Sequence, residues 1–126
     1  MLSNLIRRNR DFMAAVSREM TAAGGRGVSI DEIIGRAISS GAPAYYVTLD
    51  TAAKNCQRIR SGEEPSKPMW REFYAKVSRR MEQTGCTLPT AVIHVMDSEG
   101  ASGFFISPCR GREIYNEMKR LKKMTR

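Results

Sequence analysis

The sequence predicts a mainly α-helical protein built from one helix–helix–short strand–helix unit written twice. The unit is helix-turn-helix-like, and a two-stranded ribbon is expected between the copies. Three observations predict this. First, Arg10-Asp11-Phe12-Met13-Ala14-Ala15-Val16-Ser17-Arg18-Glu19-Met20 lies over Arg71-Glu72-Phe73-Tyr74-Ala75-Lys76-Val77-Ser78-Arg79-Arg80-Met81, with Arg, Phe, Ala, Val, Ser, Arg and Met in the same places. Second, Gly41-Ala42-Pro43-Ala44-Tyr45-Tyr46-Val47-Thr48 lies over Gly100-Ala101-Ser102-Gly103-Phe104-Phe105-Ile106-Ser107. A period of about sixty residues of this kind sets an architecture before any single motif does. Third, apolar residues recur at helical spacing between cap residues and glycines throughout.

The first helix runs from Leu2 or Arg10 to Ala23, with Phe12, Val16 and Met20 four residues apart on one face and Gly24-Gly25 as its stop. The second opens at Ser29, with Glu32 three residues on in a capping-box pattern, and carries Ile30, Ile33, Ile34, Ala37 and Ile38 as its apolar stripe. Ala44-Tyr45-Tyr46-Val47 follows as a short extended rung entered through Pro43. Thr48 caps a third helix, Leu49 to Arg60, facing inward with Ala52, Cys56 and Ile59. The segment 62–69, rich in breakers and charge, separates a first copy, 1–61, from a second, 70–126.

In the second copy the first helix covers Pro68 to Gln83. Thr87 takes the capping role of Ser29, and Leu88, Ala91, Val92, Val95 and Met96 take the stripe. Pro89 sits in the first turn, where its missing N–H costs nothing. Phe104-Phe105-Ile106 is the second rung, and both aromatic pairs are expected in the core. Ser107-Pro108 starts the last helix, Pro108 to Lys123, with Ile114, Tyr115, Met118 and Leu121 inward. A lone unit of about sixty residues is marginal, so the two copies are expected to form one pseudo-twofold domain, a pseudo-dimer within one chain.

The net charge is +8, nine Lys/Arg against five acids in residues 1–61 and twelve against eight in 62–126. A balance of this size favours a polyanionic partner. Cys56, Cys86 and Cys109 form no Cys-x-x-Cys pair and suit a reducing, cytoplasmic setting. No apolar run reaches membrane-spanning length, so no membrane partner is expected.

Enzyme readings fare badly. His94 is the only histidine, it lies within the apolar stretch Val92 to Met96, and no nucleophile or carboxylate constellation pairs with it. Gly24, Gly25 and Gly27 lie between helices rather than after a strand, so they read as a turn and not a phosphate loop. One His and scattered Cys make a poor metal set. Catalytic residues, metals and cofactors are therefore expected to be absent.

The third helix of each copy carries the functional expectation. Its outward residues are Thr51, Lys54, Asn55, Arg58 and Arg60 in the first copy, and Arg110, Arg112, Asn116, Lys119 and Arg120 in the second. Asn and Arg read adenine and guanine edges bidentately, while Lys and Thr hold phosphates. A capped helix with small residues inward and these types outward resembles the recognition helix of helix-turn-helix proteins. The resemblance implies that the preceding helix braces it, although the joint from Gly41 to Thr48 exceeds the three or four residues of a tight turn.

The duplicated plan, the shared rung and the basic tail are similar to small two-copy basic proteins of bacterial mobile elements and phages, a resemblance that implies context and no catalytic residues. The expectation is a non-catalytic protein, regulatory or architectural, binding double-stranded DNA as the nucleic-acid partner, its two helices meeting successive major-groove faces about 34 Å apart. The alternatives are a protein-interaction component of a phage or mobile element, and a single-stranded nucleic acid binder using an outward aromatic of each rung.

Overall fold

Six helices account for the architecture of the computed structural model, which describes residues 3–25 and 27–124. They are α1 (Asn4–Ala23), α2 (Ile30–Ile38), α3 (Leu49–Arg60), α4 (Pro68–Thr84), α5 (Leu88–Ser98) and α6 (Pro108–Met124). The caps explain the bounds. Ser3, Ser29 and Thr48 each accept a backbone N–H three residues on, at 3.2 Å, which satisfies a donor the first turn leaves orphaned. The first helix thus starts at Asn4 rather than at Arg10, and the expected start at Leu2 lies outside the described residues. Gly24 and Gly85 end α1 and α4 with φ of 59° and 72°, the left-handed conformation in which a side chain is strained. Thr87 does not cap α5 as expected: its hydroxyl binds the Thr90 hydroxyl at 3.0 Å, and no side-chain bond reaches the backbone.

No strand forms among the described residues, so the expected ribbon is corrected to a single antiparallel bridge, Ala42 to Ala101. Its two hydrogen bonds are 2.9 and 2.8 Å. The ladder stops there for local reasons. Pro43 has no N–H to offer. The Val47 N–H closes a tight turn on the Tyr45 carbonyl at 2.8 Å, and Phe105 turns to φ 54°.

The chain folds into two compact units that differ from the halves 1–61 and 70–126. The first unit takes the residues up to Pro43 together with those from Ala101 on; the second is Ala44–Gly100. In the first, α1 packs on α2 and α6 lies against both. In the second, α4 packs on α5 and α3 lies against both. The bracing is therefore exchanged from the expected order: α2 braces α6 and α5 braces α3. The long joints 39–48 and 99–107 account for this, since a helix hairpin needs a short turn of about two to five residues. The segment 62–69, expected to separate two copies, instead joins α3 to α4 inside the second unit.

Within the first unit Phe12, Val16, Ile34 and Ile114 are fully buried, and Phe104 meets Phe12 edge to face at 5.4 Å. Within the second, Phe73 is fully buried and meets Tyr45 (ring centroids 5.0 Å apart) and Trp70 (5.8 Å) edge to face, and Val77, Val92 and Val95 are fully buried too. Tyr45 donates to the Glu72 carboxylate. Burial, then that hydrogen bond, push its phenol well above the usual tyrosine range.

What seats α6 is a close approach. The Phe104 N–H binds the Ile38 carbonyl at 2.9 Å, which satisfies an orphan acceptor at the end of α2. A Cβ on Gly103 would stand 2.7 Å from that same oxygen. Further along, a Cβ on Gly111 would meet Ile34 Cγ2 at 2.9 Å and Phe12 Cζ at 3.3 Å, so α6 lies unusually close to α2 and α1. Gly103→Ala is expected to cost about 2 kcal/mol, the sum of overpacking and the strained hydrogen bond, because a backbone oxygen cannot rotate aside. Urea denaturation checks it; an unchanged midpoint would refute the close approach.

Candidate nucleic-acid interface

On α6 the buried side is made by Gly111 and Ile114, with Met118 half-buried one turn on. Arg112, Asn116, Lys119, Arg120 and Lys123, at steps of four, seven, eight and eleven residues from Arg112, fall on the opposite face by helical periodicity. Asn116, Lys119, Arg120, Lys122 and Lys123 are all exposed and together line a shallow groove. Arg112 is half-buried and committed to Asp31 in the first turn of α2 at 2.8 Å. That is an exposed pair worth at most about 1 kcal/mol, which orients α6 more than it stabilises it. The Tyr115 ring lies 5.3 Å from Lys119 Nζ. Arg110 is half-buried beside Gly111 and bound to Glu113 at 2.9 Å, and both line a hollow shared with Asn116, Glu117 and Arg120.

The corresponding set on α3 is differently placed. Thr51 is held in the cap: its N–H binds the Thr48 hydroxyl oxygen, which in turn donates to the Thr51 hydroxyl at 2.9 Å. Asn55 is half-buried and donates to the Thr51 carbonyl at 2.9 Å. Lys54 pairs with Asp50 at 3.1 Å. Arg58 is exposed but shares a small hollow with Glu63 and Glu64. Arg60 is exposed at the helix end. Each of these residues is present on its helix, yet local partners or nearby carboxylates occupy most of them.

Sequence reasoning passed over Lys122 and Lys123. The signal was available, since Lys123 continues the Arg112–Asn116–Lys119 spacing by one more turn. Of the aromatic rungs expected in the core, Tyr45 and Phe104 are each 5% exposed, Tyr46 is half-buried and Phe105 is 39% exposed. The second of each pair thus departs from that expectation, because neighbours in an extended segment point to opposite sides. His94 is exposed on α5. Among the described residues no three of His, Cys, Asp and Glu lie together as a metal set, and no helix is long and apolar enough to cross a membrane.

No family model matches the chain, and neither a curated protein nor a solved structure is found similar to it.

The inner face of α3 gives a direct check on this placement. Cys56 is fully buried, and burial alone pushes its thiol up to about 11 from its ordinary value of 9.0. Cys109 is exposed. Iodoacetamide at pH 8 is expected to alkylate Cys109 and spare Cys56 until the chain unfolds, read by peptide mass spectrometry. The unfolded thiol ionises first, so stability is unaffected well below pH 9 and declines between 9 and about 11.

Proposed function

We propose that the protein is a non-catalytic DNA-binding protein, regulatory or architectural, that grips double-stranded DNA mainly through α6, with α3 as the weaker contact. One observation carries this reading: the cationic stripe of Lys119, Arg120 and Lys123 around Asn116 stands on the exposed face of a helix whose opposite face is buried. A major groove admits a helix, Lys and Arg neutralise the phosphates on its walls, and Asn is the side-chain type that reads adenine. Supporting it, α6 on α2 and α3 on α5 are packed alike, each lying also against a long helix, α1 or α4. We read this as a duplicated helix-turn-helix-like unit whose recognition helix is lent by the other half of the chain.

A protein-interaction role within a phage or mobile element is the second reading. It is favoured by a mostly apolar groove between α1 and α6, lined by Met13, Ala14, Ser17, Met118, Leu121 and Lys122.

With about four phosphates neutralised along α6, the slope of log K against log salt is expected at about −3.6, a loss of roughly 150-fold between about 50 and 200 mM. Fluorescence anisotropy on a random duplex measures it. The triple variant Lys119→Ala/Arg120→Ala/Lys123→Ala is expected to flatten the slope by about 3, and Arg58→Ala by less than 1. A wild-type protein that is not retained on duplex at low salt would exclude DNA binding and leave the second reading.

A further inference from the structure

We infer that Phe105 is a base-stacking residue, engaging the exposed face of a nucleobase that is unpaired or has left its stack. This rests on the nucleic-acid reading above and adds to it the chemistry of a second contact.

Among the described residues Phe105 is the one non-glycine with positive φ, 54°; every other residue in that region is a glycine. A bulky aromatic there is held against its own preference, and such strain persists only where the surroundings impose it. The surroundings are plain. Phe104 is pinned by its N–H on the Ile38 carbonyl and by its ring against Phe12, while Gly103 lies against Ile38. Three residues after Phe105 the chain begins α6 with Pro108, after Ser107, whose hydroxyl accepts the Arg110 N–H at 3.0 Å. The backbone between these two anchors has to turn back on itself at position 105.

Glycine would make that turn without strain, as it does at Gly24, Gly62 and Gly85. The core covers only part of the ring, for Phe105 is 39% exposed where Phe104 is 5% exposed. A strained aromatic with two-fifths of its surface exposed thus stands just before α6, whose cations Lys119, Arg120 and Lys123 lie about three to four turns further along. Exposed aromatic faces hold single nucleobases without reading their identity, since every base offers a π face, while cations elsewhere on the same surface track the backbone. Phenylalanine has no polar atom to add specificity, so the contact tolerates any base.

The test compares three probes at moderate salt: a fully paired duplex, the same duplex carrying one unpaired 2-aminopurine, and the corresponding single strand containing that base. Wild type is expected to bind at least one of the latter two about fivefold or more tightly than the paired duplex, the low end of a base–aromatic stack, and to quench 2-aminopurine emission. Which probe shows the preference tells a bulged base from a single strand. Phe105→Gly is expected to abolish both preference and quenching, to keep paired-duplex affinity within about twofold, and to melt no lower than wild type. Absence of preference in wild type, or its survival in Phe105→Gly, overturns the inference while leaving salt-sensitive duplex binding intact. A lower melting temperature with loss of all binding also overturns it, because the ring would then be structural. Quenching without salt-sensitive duplex binding would instead support Phe105 and exclude the α6 duplex contact.

Discussion

The first unit depends on one constraint: the segment 101–104 has to close over the end of α2 before α6 can cover the apolar face of α1 and α2. Two hydrogen bonds between Ala42 and Ala101 and one from Phe104 to Ile38 hold the segment there. Each is worth only about 1 kcal/mol net. Their value is positional, because they deliver Phe104 to Phe12 and aim α6 so that Gly111 meets Ile34. Without that cover, Phe12, Val16 and Ile34 would lie on one exposed side of a helix pair, each losing roughly 2 kcal/mol of burial. Directed hydrogen bonds choose the arrangement, and apolar burial makes it stable.

The same distinction explains what could be read from the sequence. Caps and breakers act within four or five residues, so Ser29, Thr48 and Gly24 marked helix ends correctly from the sequence alone. Helical periodicity found the centres of the buried stripes, from Phe12–Val16 to Val92–Val95, although Met20 and Leu121, also expected inward, are exposed. Partner choice is another matter. The small inward residue Ala52 announced close packing without saying against which helix, since an apolar stripe complements any other of similar width. The long extended joints were visible, and their consequence, third helices exchanged between units, needed the three-dimensional path. Two-residue alternation in the rungs was legible too, although the positive φ at Phe105 depends on contacts from Phe12 and Ile38, far away in sequence.

The candidate interface divides along a similar line. Residue types on α3 and α6 looked equivalent in the sequence: an Asn and several cations on each outer face. What separates them is their neighbours. Thr51 and Asn55 are drawn into local hydrogen bonds within one turn, and Asp50 lies a turn from Lys54. These are short-range effects of Thr, Asn and Asp near a helix start, where such side chains compete for backbone groups. On α6 the acids Glu113 and Glu117 precede the basic run, and Lys122 and Lys123 occupy the last turn.

That position answers the objection a cationic helix face raises. Like charges four residues apart, as in Lys119 and Lys123, repel by a few tenths of a kcal/mol. Carbonyls at a helix C-terminus, carrying about half a negative charge, return about 0.3–1 kcal/mol for cations beside them. The Tyr115 ring next to Lys119 adds a further attraction without removing charge. Lys119 is therefore held at little cost to the fold by a partner that leaves it positive, whereas Arg112 is paired with Asp31 and Arg120 shares a hollow with Glu113 and Glu117.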